Sequence, residues 1–164
     1  MPKIKTLPLH SLQLQQHPKL VTLRSGDRLT QSILPNIQFL SIKQLQCMLD
    51  SSPIPVLKSE KEGLYVVLAV MPLIEIILSH DAAFKLNASL IIYDEAEPII
   101  STLTIIKPAL QIPEFKCLPQ LLHCRVAKAE LLNLAIPNKK QLSHLAQISP
   151  SSIRGGKSAL IKIK

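Results

Sequence analysis

Apolar and polar positions interleave over residues 4–9, around Lys3, Lys5 and Pro8, and this predicts a short edge strand. Gln15, Gln16, His17 and Pro18 then read as a polar turn. Leu20, Leu23, Leu29 and Ile33 fall on one helical face, which Ser25 and Gly26 interrupt and Pro35 ends. At Ser41 the period becomes clear. Ile42, Leu45, Met48 and Leu49 recur at three-and-four spacing behind a Ser N-cap, which predicts an amphipathic helix stopped by Asp50, Ser51, Ser52 and Pro53. Residues 54–57 and 64–69 are apolar runs flanking the charged residues 58–63, the pattern of a hairpin. Pro72 fits the first turn of a buried helix over residues 73–80. Residues 87–93 predict a strand with Ser89, Ile91 and Tyr93 on one face, followed by the acidic Asp94, Glu95 and Glu97.

Residues 99–106 fit either element: their β-branched side chains favour a strand, and their place after Asp94 and Pro98 favours a helix. Beyond Pro108, Pro113 and Pro119, residues 114–134 are helical in spacing, with Leu118, Leu121, Leu122, Val126, Ala129 and Leu132 apolar and Pro137 as the stop. Residues 139–160 predict a further helical pair with a break near Ser149 and Pro150. The expected fold is α+β, with a small α/β domain over residues 1–112 and a basic helical segment over residues 113–164.

A chain of 164 residues has room for one domain with a helical extension. Its 47% hydrophobic content supports a core, and that core must be aliphatic, because there are no Trp, two Tyr and three Phe. Aromatic stacking platforms for RNA or single-stranded DNA are thereby excluded as a main function. Thirteen Pro against four Gly argue for stiff connections and few glycine-rich phosphate loops. The apolar run over residues 64–78 contains Pro72 and Glu75 and is shorter than the ~20 residues of a spanning helix, so it reads as a buried element. Lys3 and Lys5 are followed by Pro8, His10 and glutamines instead of an apolar signal region, and the cytosol is the expected location.

The net charge of +8 is unevenly spread. Residues 1–31 hold five Lys/Arg and one acid, residues 32–130 hold eight and ten, and residues 131–164 hold six and none. A near-neutral middle with basic ends fits a compact core whose ends face a polyanion.

The order of elements resembles the N-terminal domain shared by ParB-type partition proteins and sulfiredoxins. The resemblance rests on an opening strand with Leu-Pro-Leu at residues 7–9, His17-Pro18, the helix over 41–49 and Pro55 to Leu57. It continues through Gly63-x-Tyr65, a helix, the strand ending at Tyr93, and Asp94-Glu95-Ala96, covering roughly residues 4–112. It implies a nucleotide-binding turn of the type Gly-x-x-Arg. This chain instead has Ala69, Val70, Met71, Pro72 and Leu73, with no Gly, no Arg and one amide donor fewer. The Cys nucleophile of sulfiredoxin is absent, and the Glu-Asn-x-x-Arg element would fall at Ile105, Ile106, Lys107 and Pro108. CTP or ATP chemistry is therefore expected to be lost, and no cofactor is expected.

At the C-terminal end, Leu142, Ser143, Ala146, Ile148, Ser149 and Ile153 have helix-turn-helix spacing. Small Ser143 permits close approach, Ile148 plugs the turn, and Ser149 caps a recognition helix beginning Pro150, Ser151, Ser152. Gln147 stands where such turns prefer Gly, and Gly155 with Gly156 shortens the second helix at about 1 kcal/mol each. The expected DNA contacts are Lys139, Lys140, Ser149, Ser151, Ser152, Arg154 and Lys157.

Catalytic constellations are not evident, since His10, His17, His80, His123 and His144 form no metal-protease pair. Asp94, Glu95 and Glu97 read as solvated turn charges, with a metal-dependent nuclease as the third possibility. Glu75 is expected at a solvent-reaching helix edge. Gly155-Gly156-Lys157-Ser158 lacks the first glycine and preceding strand of a P-loop. Cys47, Cys117 and Cys124 are expected to be buried thiols, and a zinc site through Cys117, His123 and Cys124 is disfavoured because Pro119 should interrupt their helix. The reading is a non-catalytic DNA-binding protein that contacts duplex DNA through its basic end. The alternative is an adaptor subunit that meets a protein partner or a second copy through its degenerate nucleotide turn. No membrane contact is expected.

Overall fold

Four residues separate β1 (Lys3–Pro8) from β2 (Gln13–Gln16), yet these strands are the two edges of a five-stranded sheet of order β1-β5-β3-β4-β2. In a flat sheet those edges would stand about 19 Å apart at ~4.8 Å per strand. The connection includes a 3-10 turn at Leu9–Ser11, which rises only about 2 Å per residue and falls short of that span. The sheet must curl. Its curl is visible in the computed structural model, which describes residues 2–25 and 34–153: Lys5 Nζ on β1 donates to Tyr65 Oη on β4 at 3.1 Å, three strands away.

The remaining strands are β3 (Ile54–Lys58), β4 (Leu64–Val67) and β5 (Asn87–Tyr93). β1 with β5 and β3 with β4 are antiparallel, whereas β3 with β5 and β2 with β4 are parallel. The β3–β4 hairpin turns through Gly63, whose φ of 80° is left-handed backbone that glycine adopts without strain. One sheet face carries Ile54, Val56, Tyr65, Val67, Ala88 and Leu90, all buried. At the other face, Leu57 and Tyr93 pack against a cluster of Leu20, Leu68 and Ile100.

The helices are α1 (Pro18–Arg24), α2 (Ile42–Asp50), α3 (Pro72–Leu78), α4 (Glu97–Ser101), α5 (Lys107–Leu131), α6 (Lys139–Ala146) and α7 (Pro150–Ile153). α2 forms as its pattern predicts: Leu45 and Leu49 are buried, and Ser41 and Gln44 make a reciprocal capping box. Gln46 then ties α2 to β5, its amide donating to Asn87 O at 2.9 Å and accepting from Asn87 N at 3.0 Å. His80 closes the turn after α3. It is 9% exposed, and its Nδ1 accepts from Ala82 N at 3.0 Å.

Several expectations are corrected. Residues 13–16 form an edge strand, with His17 capping α1 and Pro18 in its first turn, so the predicted polar turn starts later than expected. Leu29 and Ile33 lie outside the described residues. The ambiguous residues 99–106 are helical, through α4 and a π-helical turn at Thr102–Ile106. Pro108 cannot donate to the carbonyl four residues back, and the wider turn just before it lets Lys107 N bond Thr102 O instead. α5 runs through Pro113 and Pro119, so Pro119 does not interrupt the segment between Cys117 and Cys124. It ends before Pro137 is reached, because Asn133 turns left-handed (φ 54°) and Leu134 N bonds Ala129 O at 3.0 Å. Cys47 and Cys124 are exposed rather than buried. Cys47 is two positions from both Leu45 and Leu49, about 200° away around α2. Glu75 is exposed, as expected of a helix edge. The chain divides into two compact units, Met1–Ala109, which contains the sheet, and Leu110–Lys164, which contains α6, α7 and most of α5. Among the described residues no helix is long and apolar enough to cross a membrane.

Candidate functional site

The basic end is built on two short helices with a fixed turn between them. α6 starts at Asn138, whose Oδ1 accepts from Gln141 N at 2.9 Å, while Gln141 Oε1 accepts from Asn138 N at 2.9 Å. Sequence reasoning missed this capping box, although Asn-x-x-Gln at residues 138–141 is its signal. α6 ends at Gln147, where Gln147 N bonds His144 O and Ile148 N bonds Ser143 O, both at 3.1 Å. This hydrogen-bond pair needs a left-handed residue at the turn, and Gln147 supplies it with φ 52° and ψ 38°. The residue that stands in place of Gly thus adopts the conformation Gly would have. Ser143 is 4% exposed, with its hydroxyl donating to Lys140 O at 2.8 Å, and Ile148 is half-buried.

Ser149 Oγ accepts from Ser151 N at 3.4 Å and shares a 2.7 Å hydrogen bond with Ser151 Oγ, which caps α7 ahead of Pro150. Lys139 and Lys140 occupy the first turn of α6, with Lys140 exposed and Lys139 Nζ 3.9 Å from Glu130. Ser149, Ser151 and Ser152 are exposed at the start of α7. Arg154 and Lys157 lie outside the described residues.

A second cluster sits in the sheet-bearing unit, in a cleft lined by His17, Lys19, Glu95, Ala96, Glu97 and Pro98. His17 Nδ1 accepts from Lys19 N at 3.2 Å, which holds the first turn of α1. The Lys19 ammonium pairs with the Glu97 carboxylate in the first turn of α4. The hydrogen bond and charge of Lys19, with a smaller contribution from His17, hold the Glu97 carboxyl below the usual carboxylate range. Sequence reasoning found the acids but not their partner, because the two residues are 78 positions apart and no local pattern joins them. Of the acids considered for metal chemistry, Glu97 is thereby committed to a lysine. Among the described residues no three His, Cys, Asp or Glu side chains are grouped as metal ligands. The Ala69-to-Leu73 turn leads into α3 with no side-chain cap at Met71 and with Val70 exposed.

No family profile and no curated protein matches the chain. Among solved structures it is similar to the C-terminally truncated chromosome-partitioning protein ParB from Caulobacter crescentus complexed with CTP-gamma-S. The identity is 13%, the match covers 92% of this chain and 74% of that one, and the TM-score is 0.43.

The Lys19–Glu97 pair gives a signed pH expectation. A carboxyl with a depressed folded pKa adds stability above its unfolded value, and that stability is lost as pH falls through the folded value. An exposed pair of this kind contributes little to the total. In a carboxyl-detected NMR titration, Lys19→Met should return the Glu97 midpoint upward toward the ordinary range. A midpoint that does not move would show that Lys19 is not the cause.

Proposed function

We propose that the chain is a non-catalytic DNA-binding protein of the ParB-like type that residues 4–112 resemble, contacting duplex DNA through the basic helical end. The observation that carries this reading is the α6–turn–α7 arrangement. A boxed N-cap, a left-handed turn braced by Ser143 and Ile148, and a Ser149-capped second helix stand in a stretch of six Lys/Arg and no acid. Phosphate contact by Lys139, Lys140, Arg154 and Lys157 makes affinity fall with salt, with a log-log slope of roughly −0.9 per phosphate. Electrophoretic mobility shifts with duplex DNA across a salt series test this. Lys139→Gln with Lys140→Gln, and separately Arg154→Ala with Lys157→Ala, should each weaken binding and flatten the slope. Affinity unchanged at moderate salt in both would remove this segment from the mechanism.

A protein-binding role is favoured by a different observation. Leu131, Leu132 and Leu134 are 83%, 69% and 57% exposed, a run of neighbouring apolar side chains in water at the end of α5. A homo-oligomer or a protein partner would cover them. Sedimentation velocity of the purified chain should then show a mass above the monomer. A monodisperse monomer that binds DNA tightly would count against this second reading.

The turn from Ala69 to Leu73 offers no cation and one amide fewer than a phosphate turn needs, so CTP and ATP should not bind. Calorimetric titration with each nucleotide and Mg²⁺ should give no saturable heat; a submillimolar dissociation constant would place the phosphate turn elsewhere.

A further inference from the structure

The curl of the sheet brings together side chains that neither candidate site uses. In register, Lys5 stands opposite Leu90 and Lys3 opposite Ile92, so both lysines project on the face that carries the buried Leu90. Tyr65 and Lys58 are directly opposite each other on β4 and β3, and they share that face. Tyr65 is only 6% exposed, which fixes its ring. Lys5 lies over that ring, 5.9 Å from its centre, and donates to its hydroxyl at 3.1 Å.

The chemistry of this group is one-sided. The Lys5 ammonium has three N–H donors and uses one on Tyr65. Tyr65 Oη is an acceptor in that bond, and its own O–H has no acceptor among the described residues. Lys58, opposite Tyr65 in register, adds a second lysine on the same sheet face. Among the described residues no carboxylate lies within 4.0 Å of Lys3, Lys5 or Lys58, and Glu60 and Glu62 in the adjacent turn pair with none of them. Two lysines share one sheet face with this phenol, and the remaining Lys5 N–H groups and the Tyr65 O–H are donors. A small oxyanion would satisfy the donors, while the buried ring and the Lys5 hydrogen bond spare part of the ordering cost.

We propose that Lys5, Lys58 and the Tyr65 hydroxyl form a phosphate-binding site on the curled sheet, with Lys3 adding charge on the same face. The choice of a DNA backbone phosphate as its source rests on the reading above, and inorganic phosphate presents the same chemistry. The test follows the Tyr65 ring and the Lys5 and Lys58 amides by NMR at low salt, with a short duplex in one arm and inorganic phosphate in the other. Saturable shifts at these groups are expected with duplex.

In a salt series, Lys5→Gln with Lys58→Gln should lower the slope by about 0.9, one phosphate contact. Tyr65→Phe should leave the slope unchanged and weaken affinity roughly three- to tenfold, the loss of a hydrogen-bond donor. Should Tyr65→Phe fail to fold, the two exposed lysines still decide. A slope lowered by the Lys139/Lys140 pair alone, with no shifts from inorganic phosphate, overturns this site and leaves the proposed function standing; a slope lowered by Lys5 and Lys58 alone does the reverse. Shifts with inorganic phosphate but not duplex uphold the site with free phosphate as its source. Shifts with neither overturn it.

Discussion

The short connection between β1 and β2 is the constraint on which the sheet depends. Two consecutive strands placed at opposite edges can be joined by four residues only if the edges approach each other. A curled sheet has an enclosed face, and here that face is filled mostly by aliphatic side chains such as Ile54, Val56 and Leu90, with the Tyr65 ring beside them. The same curl carries Lys5 across to Tyr65, a contact that strand order alone would forbid.

What the sequence made legible is what local rules decide. α2 has a clean helical period and a Ser-x-x-Gln cap, the β3–β4 hairpin has paired apolar runs around a charged turn, and β5 has an apolar run ended by acids. What remained illegible depends on distant partners. β2 reads Gln-Leu-Gln-Gln, poor in strand formers, and is a strand because β4 pairs with it in parallel. Lys19 and Glu97 are joined by the fold alone. Residues 97–131 carry Pro108, Pro113 and Pro119, each of which argues locally against a helix, and the chain is nevertheless helical there, with one wide π turn before the first of them.

In the second unit the hidden feature is handedness. α5 and α6 both end by a left-handed residue, Asn133 and Gln147, with the same pair of backbone hydrogen bonds to the turn before. Asn tolerates this conformation better than most residues, and Gln must accept about 1–2 kcal/mol of steric cost. That cost is offset by backbone bonds from Gln147 and Ile148 and by the seating of half-buried Ile148, so the angle between α6 and α7 is set by packing and not by glycine freedom.

Two ion pairs among the described residues bear on which cations remain for outside partners. Glu97 takes Lys19 and Glu130 takes Lys139, the latter at a loose 3.9 Å between exposed groups. An exposed pair at that distance is worth at most about 1 kcal/mol, less than a charge-assisted bond to a phosphate, so Lys139 can exchange one anion for the other. Lys140 has no ion-pair partner among the described residues and needs no exchange. Both lysines stand at the start of α6, where the helix dipole opposes positive charge, and an anion there would be favoured by the dipole and the lysines together. The arrangement is mildly unfavourable alone and would be relieved by an anion placed beside it.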